Sequence, residues 1–230
     1  MTVQTCYACQ NPATTKEHIP PLCLFPERKD IIDDVDNRRN LITVPSCKEH
    51  NCNKSGDDEY LLYVLSTNLP ANAIAQAQWT KLKRAVERRP VLWNSMCNNS
   101  KDVEVVDSHT SKMYEAVQMD LDGPRFTKSL ELIVLGVYYH RFGKRWGSNI
   151  RVHADFVDFP YEQTKAEIDA NRMLVFNCAE KLFTSIPRYG DNQDVFWYQV
   201  YEPENSFRFL IRIGFFGGCT ITAFLGKTNE

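Results

Sequence analysis

At 230 residues the chain is long enough for one large domain or two small ones, each with a buried core. Its 43% hydrophobic and 24% charged content is that of an ordinary globular protein, and a net charge of −2 excludes a generic polyanion binder. MTVQTCYACQ at the N-terminus has no basic stretch followed by an apolar run, and the longest apolar run, residues 132–139, is far short of a membrane span. A cytoplasmic protein with no membrane partner is expected.

Residues 1–55 are dense in Cys, Asn, Pro and Asp and poor in periodicity. Such a segment has little apolar side chain to bury, so a metal is expected to hold it. Residues 57–66 (DDEYLLYVLS) predict a helix with acids in its first turn, where the helix dipole favours them. Residues 72–89 predict a second helix, with Ala75, Trp79, Leu82 and Val86 on one face and Lys81, Arg84 and Arg88 nearly opposite. That basic face is either solvated surface or a nucleic-acid contact. From residue 101 the pattern changes. Residues 102–107 and 112–119 read as paired strands, 126–142 as an apolar buried helix, 150–159 as a strand and 162–183 as mainly helix. Aromatic and β-branched runs at 194–201, 207–214 and 219–225, punctuated by Pro203, Gly217 and Gly218, read as a β-meander. The expected class is α+β. A module at 1–66, a helical connector at 67–100 and an α+β domain with a mainly antiparallel sheet at 101–230 are expected, the boundary falling near residue 100.

Eight cysteines with no secretion signal point to metal binding rather than disulfides. Cys6-x2-Cys9 is followed, after 37 residues, by Cys47-x2-His50. Two such knuckles supply the four soft or borderline ligands of a tetrahedral structural zinc. Cys52 lies close enough to compete, but His50 holds the second position of the knuckle. Between the knuckles stand Thr15-Lys16-Glu17-His18-Ile19-Pro20-Pro21 and Asn40-Leu41-Ile42; Asn51, Lys54 and Ser55 follow the second.

Over about residues 6–60 this order of acid, His, Pro, Asn, second knuckle, Asn and Lys resembles the HNH endonucleases, the ββα-metal nuclease family. The resemblance implies a ββα module that hydrolyses DNA. Glu17 and Asn51 would hold a catalytic Mg²⁺ or Mn²⁺, His18 would be the general base and Asn40 would orient it. Lys54, and less so Ser55, would touch phosphate. The residue chemistry agrees: His titrates in the right range for a base, and carboxylate and amide oxygens suit a hard cation. Three positions depart from the commonest pattern. Glu17 stands for Asp, His50 for the fourth Cys, and Asn51 where many members have His. Asp57 and Asp58 either support the metal ligands from behind or are ordinary helix-start acids, and the latter is the preferred reading. The family's small prokaryotic members suggest anti-phage defence or restriction.

Residues 1–60 carry seven basic groups against ten acids, whereas 79–89 carry five against one and 125–151 six against one. The later segments would therefore supply phosphate affinity. Arg141, Lys144 and Arg145 beside Trp146 can clamp a backbone and stack on a base, although cations also suit a helix C-terminus. His140 reads as a core residue; His109 and His153 have no partner legible in sequence. Two rival functions stand beside the DNA endonuclease. One is a zinc-stabilised nucleic-acid-binding module without hydrolysis. The other is an effector subunit activated by a protein partner, or by a second copy, at residues 101–230.

Overall fold

A computed structural model describes residues 4–30, 36–68, 74–75, 78–106, 111–157, 165–204 and 208–226. His109, the start of the helix expected at 72–89, the end of the strand expected at 150–159 and residues 162–164 lie outside them.

Strands β1 (Thr15–Ile19) and β2 (Ile42–Ser46) pair antiparallel, with Glu17 opposite Val44 and His18 opposite Thr43. A 3-10 turn at Cys52–Lys54 runs straight into helix α1 (Ser55–Thr67), completing a β-β-α order between and after the two knuckles. Asp57 and Asp58 occupy the first turn of α1, as expected. Tyr60 through Leu65 are all buried, so α1 is embedded rather than amphipathic.

The next helical stretch is divided. Helix α2 (Trp79–Arg88) ends at Arg89, whose backbone (φ −142°, ψ 73°) has left the helical region that a following proline disfavours, and Pro90 opens helix α3 (Pro90–Cys97). The buried face of α2 is also rotated from the expected one. Ala75, Gln78, Leu82 and Ala85 are buried while Trp79 is exposed. Polar tips decide the rotation: Gln78 Nε2 donates to the Leu24 carbonyl (2.6 Å) and Lys81 Nζ to that of Cys23 (2.7 Å). These carbonyls belong to the 3-10 turn at Leu22–Leu24, whose own bonds use the carbonyls of Pro21 and Leu22 instead.

Strands β3 (Lys101–Val106) and β4 (Met113–Gln118) form a separate two-stranded ribbon. Helix α4 (Gly123–Phe142) follows. The Asp122 side chain accepts from the Arg125 N–H at its start, and Gly143 ends it in the left-handed conformation (φ 66°). Strand β5 (Ile150–Ala154), helix α5 (Lys165–Phe183) and strands β6 (Phe196–Tyr201), β7 (Arg208–Phe215) and β8 (Cys219–Gly226) complete the chain. The expected meander β6-β7-β8 is present, and β5 adds to its open edge, giving the antiparallel order β5-β8-β7-β6. The fold class is α+β.

The buried residues form one cluster running from Cys6 and Tyr7 through α1 and α4 to the sheet. The expected boundary near residue 100 therefore does not coincide with a break in the core. Helix α4 is its axis: Gly136 lies so close to β1 that an added Cβ would sit 2.3 Å from Ile19 Cδ1. On the sheet side Tyr138 packs edge-on against Trp146 and Phe209. Trp146 is thus a core residue and not a platform for a base, and His140, expected in the core, is exposed near the end of α4. No helix among the described residues is long and apolar enough to cross a membrane.

Candidate metal centre and its surroundings

The loop before β1 folds tightly, with Cys6 N donating to Asn11 O (2.9 Å) and Ala13 N to Gln4 O (2.8 Å). Tyr7 N donates to Pro45 O (2.8 Å), which carries the first knuckle onto the end of β2, where the second begins. Ligand atoms of Cys6, Cys9, Cys47 and His50 all lie within 4.8 Å of one another. Individual separations are 3.7 Å for Cys6 Sγ to His50 Nδ1, 3.8 Å for Cys9 Sγ to Cys47 Sγ and 3.3 Å for Cys47 Sγ to His50 Nδ1. Zinc bonds of about 2.3 Å to sulfur and 2.0–2.1 Å to nitrogen give tetrahedral edges of about 3.5–3.8 Å, so the group fits such an ion. Cys52 is exposed and outside the group. Burial pushes the Cys9 thiol up to about 11. Burial works the same way on Cys6, but N–H donors led by Ala8 outweigh it and lower that thiol. Burial, and then Lys128, lower His50, favouring the neutral imidazole that ligates metal. These four residues form a group able to hold a metal such as zinc.

Glu17 and His18 are neighbours on one strand, so their side chains leave opposite faces. Glu17 points inward with Ile19 and is buried. Its carboxylate lies 2.6 Å from Lys54 Nζ, which also lies 2.6 Å from Asp58 Oδ1. Burial raises both carboxyls although Lys54 pulls them down. It works to lower Lys54, but the two carboxylates outweigh it and raise that amine. Two acids thus share one ammonium. The contact to phosphate expected of Lys54 is not one its buried ammonium makes from this position. Asn51 Nδ2 donates to Thr15 Oγ1 (3.0 Å) and Lys16 O (2.9 Å), which spends both amide hydrogens on β1 and leaves Oδ1 as the acceptor. β1 therefore holds both residues, Asn51 at Thr15 and Lys16, and Lys54 at the adjoining Glu17.

His18 lies half-buried on the other hairpin face. Burial, followed by the nearby Arg38, lowers its pKa from 6.5. Asn40 is exposed in a left-handed turn (φ 50°), a conformation asparagine tolerates well, and no hydrogen bond joins it to His18 among the described residues. Of the basic residues of α2, Lys81 and Arg84 are engaged with the protein, Arg84 Nη2 pairing with Asp30 (2.9 Å), whereas Lys83 and Arg88 are exposed, Arg88 Nε donating to Arg84 O of its own helix (3.0 Å). Arg141 lies over the Tyr189 ring and 4.0 Å from Glu202, while Lys144 and Arg145 are exposed beyond α4.

Sequence reasoning missed Tyr7, and it favoured a helix-start role for Asp58 over a place beside the metal ligands. With Glu17, Lys54, Lys128 and Ser129 they line a small cavity between β1, α1 and α4. Tyr7 is fully buried and its hydroxyl has no hydrogen-bond partner among the described residues. The Lys54–Asp58 spacing of four, one helical turn, was the available signal for Asp58; nothing in the sequence singled out Tyr7. No family model, curated protein or solved structure matches the chain.

Proposed function

We propose that the chain is a metal-dependent endonuclease of the ββα-metal kind that hydrolyses DNA phosphodiester bonds. The observation that carries this reading is the corner built at β1. The Cys3His group ties the hairpin to the start of α1, and Asn51 and Lys54 reach β1 within hydrogen-bonding distance of Lys16 and Glu17. Hard oxygen donors from Glu17 and Asn51 suit Mg²⁺ or Mn²⁺. Such an ion, when bound, neutralises charge on the scissile phosphate and leaving oxygen. His18 takes the proton from the attacking water; its lowered pKa keeps it neutral, and so able to accept, at pH 7. Zinc at the knuckles holds the frame, and Arg141, Lys144 and Arg145 grip the DNA backbone. A cytoplasmic role in anti-phage defence or restriction follows from the sequence resemblance alone.

A second reading, a zinc-stabilised nucleic-acid-binding module without hydrolysis, is favoured by one observation: Glu17 and His18 point to opposite faces and Glu17 is already paired. Plasmid incubated with Mg²⁺ or Mn²⁺ separates the two. Cleavage that EDTA stops and added Mg²⁺ restores supports the nuclease; DNA binding with no cleavage under any metal supports the module.

A further inference from the structure

The cavity between β1, α1 and α4 contains more acid than the proposed reaction uses. Glu17 Oε1 and Asp58 Oδ1 converge on one point, each 2.6 Å from Lys54 Nζ. Asp57, at the rim, is engaged by Arg125 at 2.6 Å and does not compete for that ammonium. Ionised, the inner triad carries one negative charge in excess; Lys128, also on the cavity wall, is exposed and pairs with neither acid among the described residues. Tyr7 adds a buried hydroxyl with no partner among the described residues, on the wall of the same cavity. A buried hydroxyl without a partner loses its hydration for nothing in return, which points to a missing polar occupant.

We infer that Glu17 and Asp58 are the two carboxylate arms of a divalent-cation site, that the Tyr7 hydroxyl faces the same occupant, and that the Lys54 ammonium holds the cation's place when no ion is bound. The inference rests on the nuclease reading in that Glu17 is shared with it, and it adds Asp58 and the displacement of Lys54. An all-oxygen set with two carboxylates suits Mg²⁺, Mn²⁺ or Ca²⁺, and bonds of about 2.0–2.6 Å need only a small inward movement from the separations now spanned by Nζ. Lys54 is well suited to leave, because its charge sits on a flexible four-carbon stem. One cation replaces another, so the acids are never left facing each other unpaired.

The test is Mn²⁺ binding to the full-length protein, zinc content verified, followed by electron paramagnetic resonance of free Mn²⁺ and by calorimetry. D58N weakens Mn²⁺ binding by at least about ten-fold, no less than the removal of a group that merely orients a ligand costs. K54M tightens it, and Mn²⁺ raises the melting temperature of K54M more than that of the unaltered protein, by mass action on a site freed of its competitor. If D58N does not fold, K54M decides alone. Unchanged binding in D58N alongside abolished binding in E17Q overturns the inference and leaves the nuclease reading intact. Binding to K54M that is unchanged or weaker also overturns it. The expected D58N and K54M pattern in a protein that never cleaves DNA sinks the nuclease reading and leaves the cation site standing.

Discussion

His18 lies on the outer face of the β1–β2 hairpin, so truncating it removes a proton acceptor without opening the core. H18A therefore loses cleavage by about 10²–10⁴-fold while zinc content and melting temperature stay as they were. Cleavage near the original rate would place the base elsewhere. The pH profile follows from the same residue. Its pKa lies below 6.5 because burial and Arg38 disfavour the charged form, and the neutral form is the competent one. Single-turnover cleavage should be flat through pH 7 and fall only on the acid side, with an inflection below 6.5; an inflection above 7 would name another group. The adjacency of Glu17 and His18 was plain in the sequence. Their separation onto two faces was not, because a five-residue strand in a polar loop carries no periodicity from which to read it. Asn40 was legible as an asparagine in a motif, whereas its left-handed turn gives a conformational reason for that residue type there.

Among the elements, those from β3 onward were readable because period-two and apolar runs are long there, and antiparallel meanders leave turn residues such as Gly217, left-handed at φ 77°. The α2–α3 break was hidden by a basic run at Arg88 and Arg89 that continues a helical composition up to Pro90. The rotation of α2 was hidden because Gln78 and Lys81 are polar by type, and only the carbonyls of Cys23 and Leu24 turn them inward. Q78A, which leaves the buried Leu24 carbonyl without this donor, should lower unfolding free energy by about 1–3 kcal/mol in urea titration. K81A should cost stability as well and leave the salt dependence of DNA binding unaltered; a shallower salt slope would return Lys81 to the DNA interface. The knuckles were legible from spacing alone, since ligand chemistry restricts residue types more tightly than packing does. C6S or C47S should abolish bound zinc by elemental analysis. Amide exchange around β1 and β2 should then rise, because zinc supplies about 10–16 kcal/mol in small zinc peptides and here adds to the core contacts of Tyr7, Ile19, Leu24 and Val44. Full zinc content in both variants would refute the ligand set.

For the molecule as a whole, the first sixty residues are acid-rich and Lys81 and Arg84 of α2 are engaged with the protein, whereas Arg141, Lys144 and Arg145 are exposed together at the far end of α4. Changing all three to Ala should weaken DNA binding for every sequence alike. The plot of log affinity against log salt should become shallower by about 0.9 for each phosphate that is no longer neutralised. Unchanged affinity and slope would favour the effector-subunit reading, with DNA held by a partner. What composition could not convey is how the two halves join, because contacts such as Ile19 with Gly136 unite residues far apart in the chain.

The fit of Ile19 against Gly136 has an evolutionary consequence. Gly136 has no room for a side chain, so β1 and α4 are fitted to each other as a matched pair. The segment of residues 1–66 could not be shuffled by recombination onto a new scaffold as a self-contained finger can. Cut free, it would expose Ile19, Leu61 and Leu65 to water; transplanted, it would need a host helix with a glycine at the same height. The two ends of this chain are therefore bound to change together, and a drift from Ile19 to a bulkier residue in one lineage should be sought alongside a compensating retreat in α4.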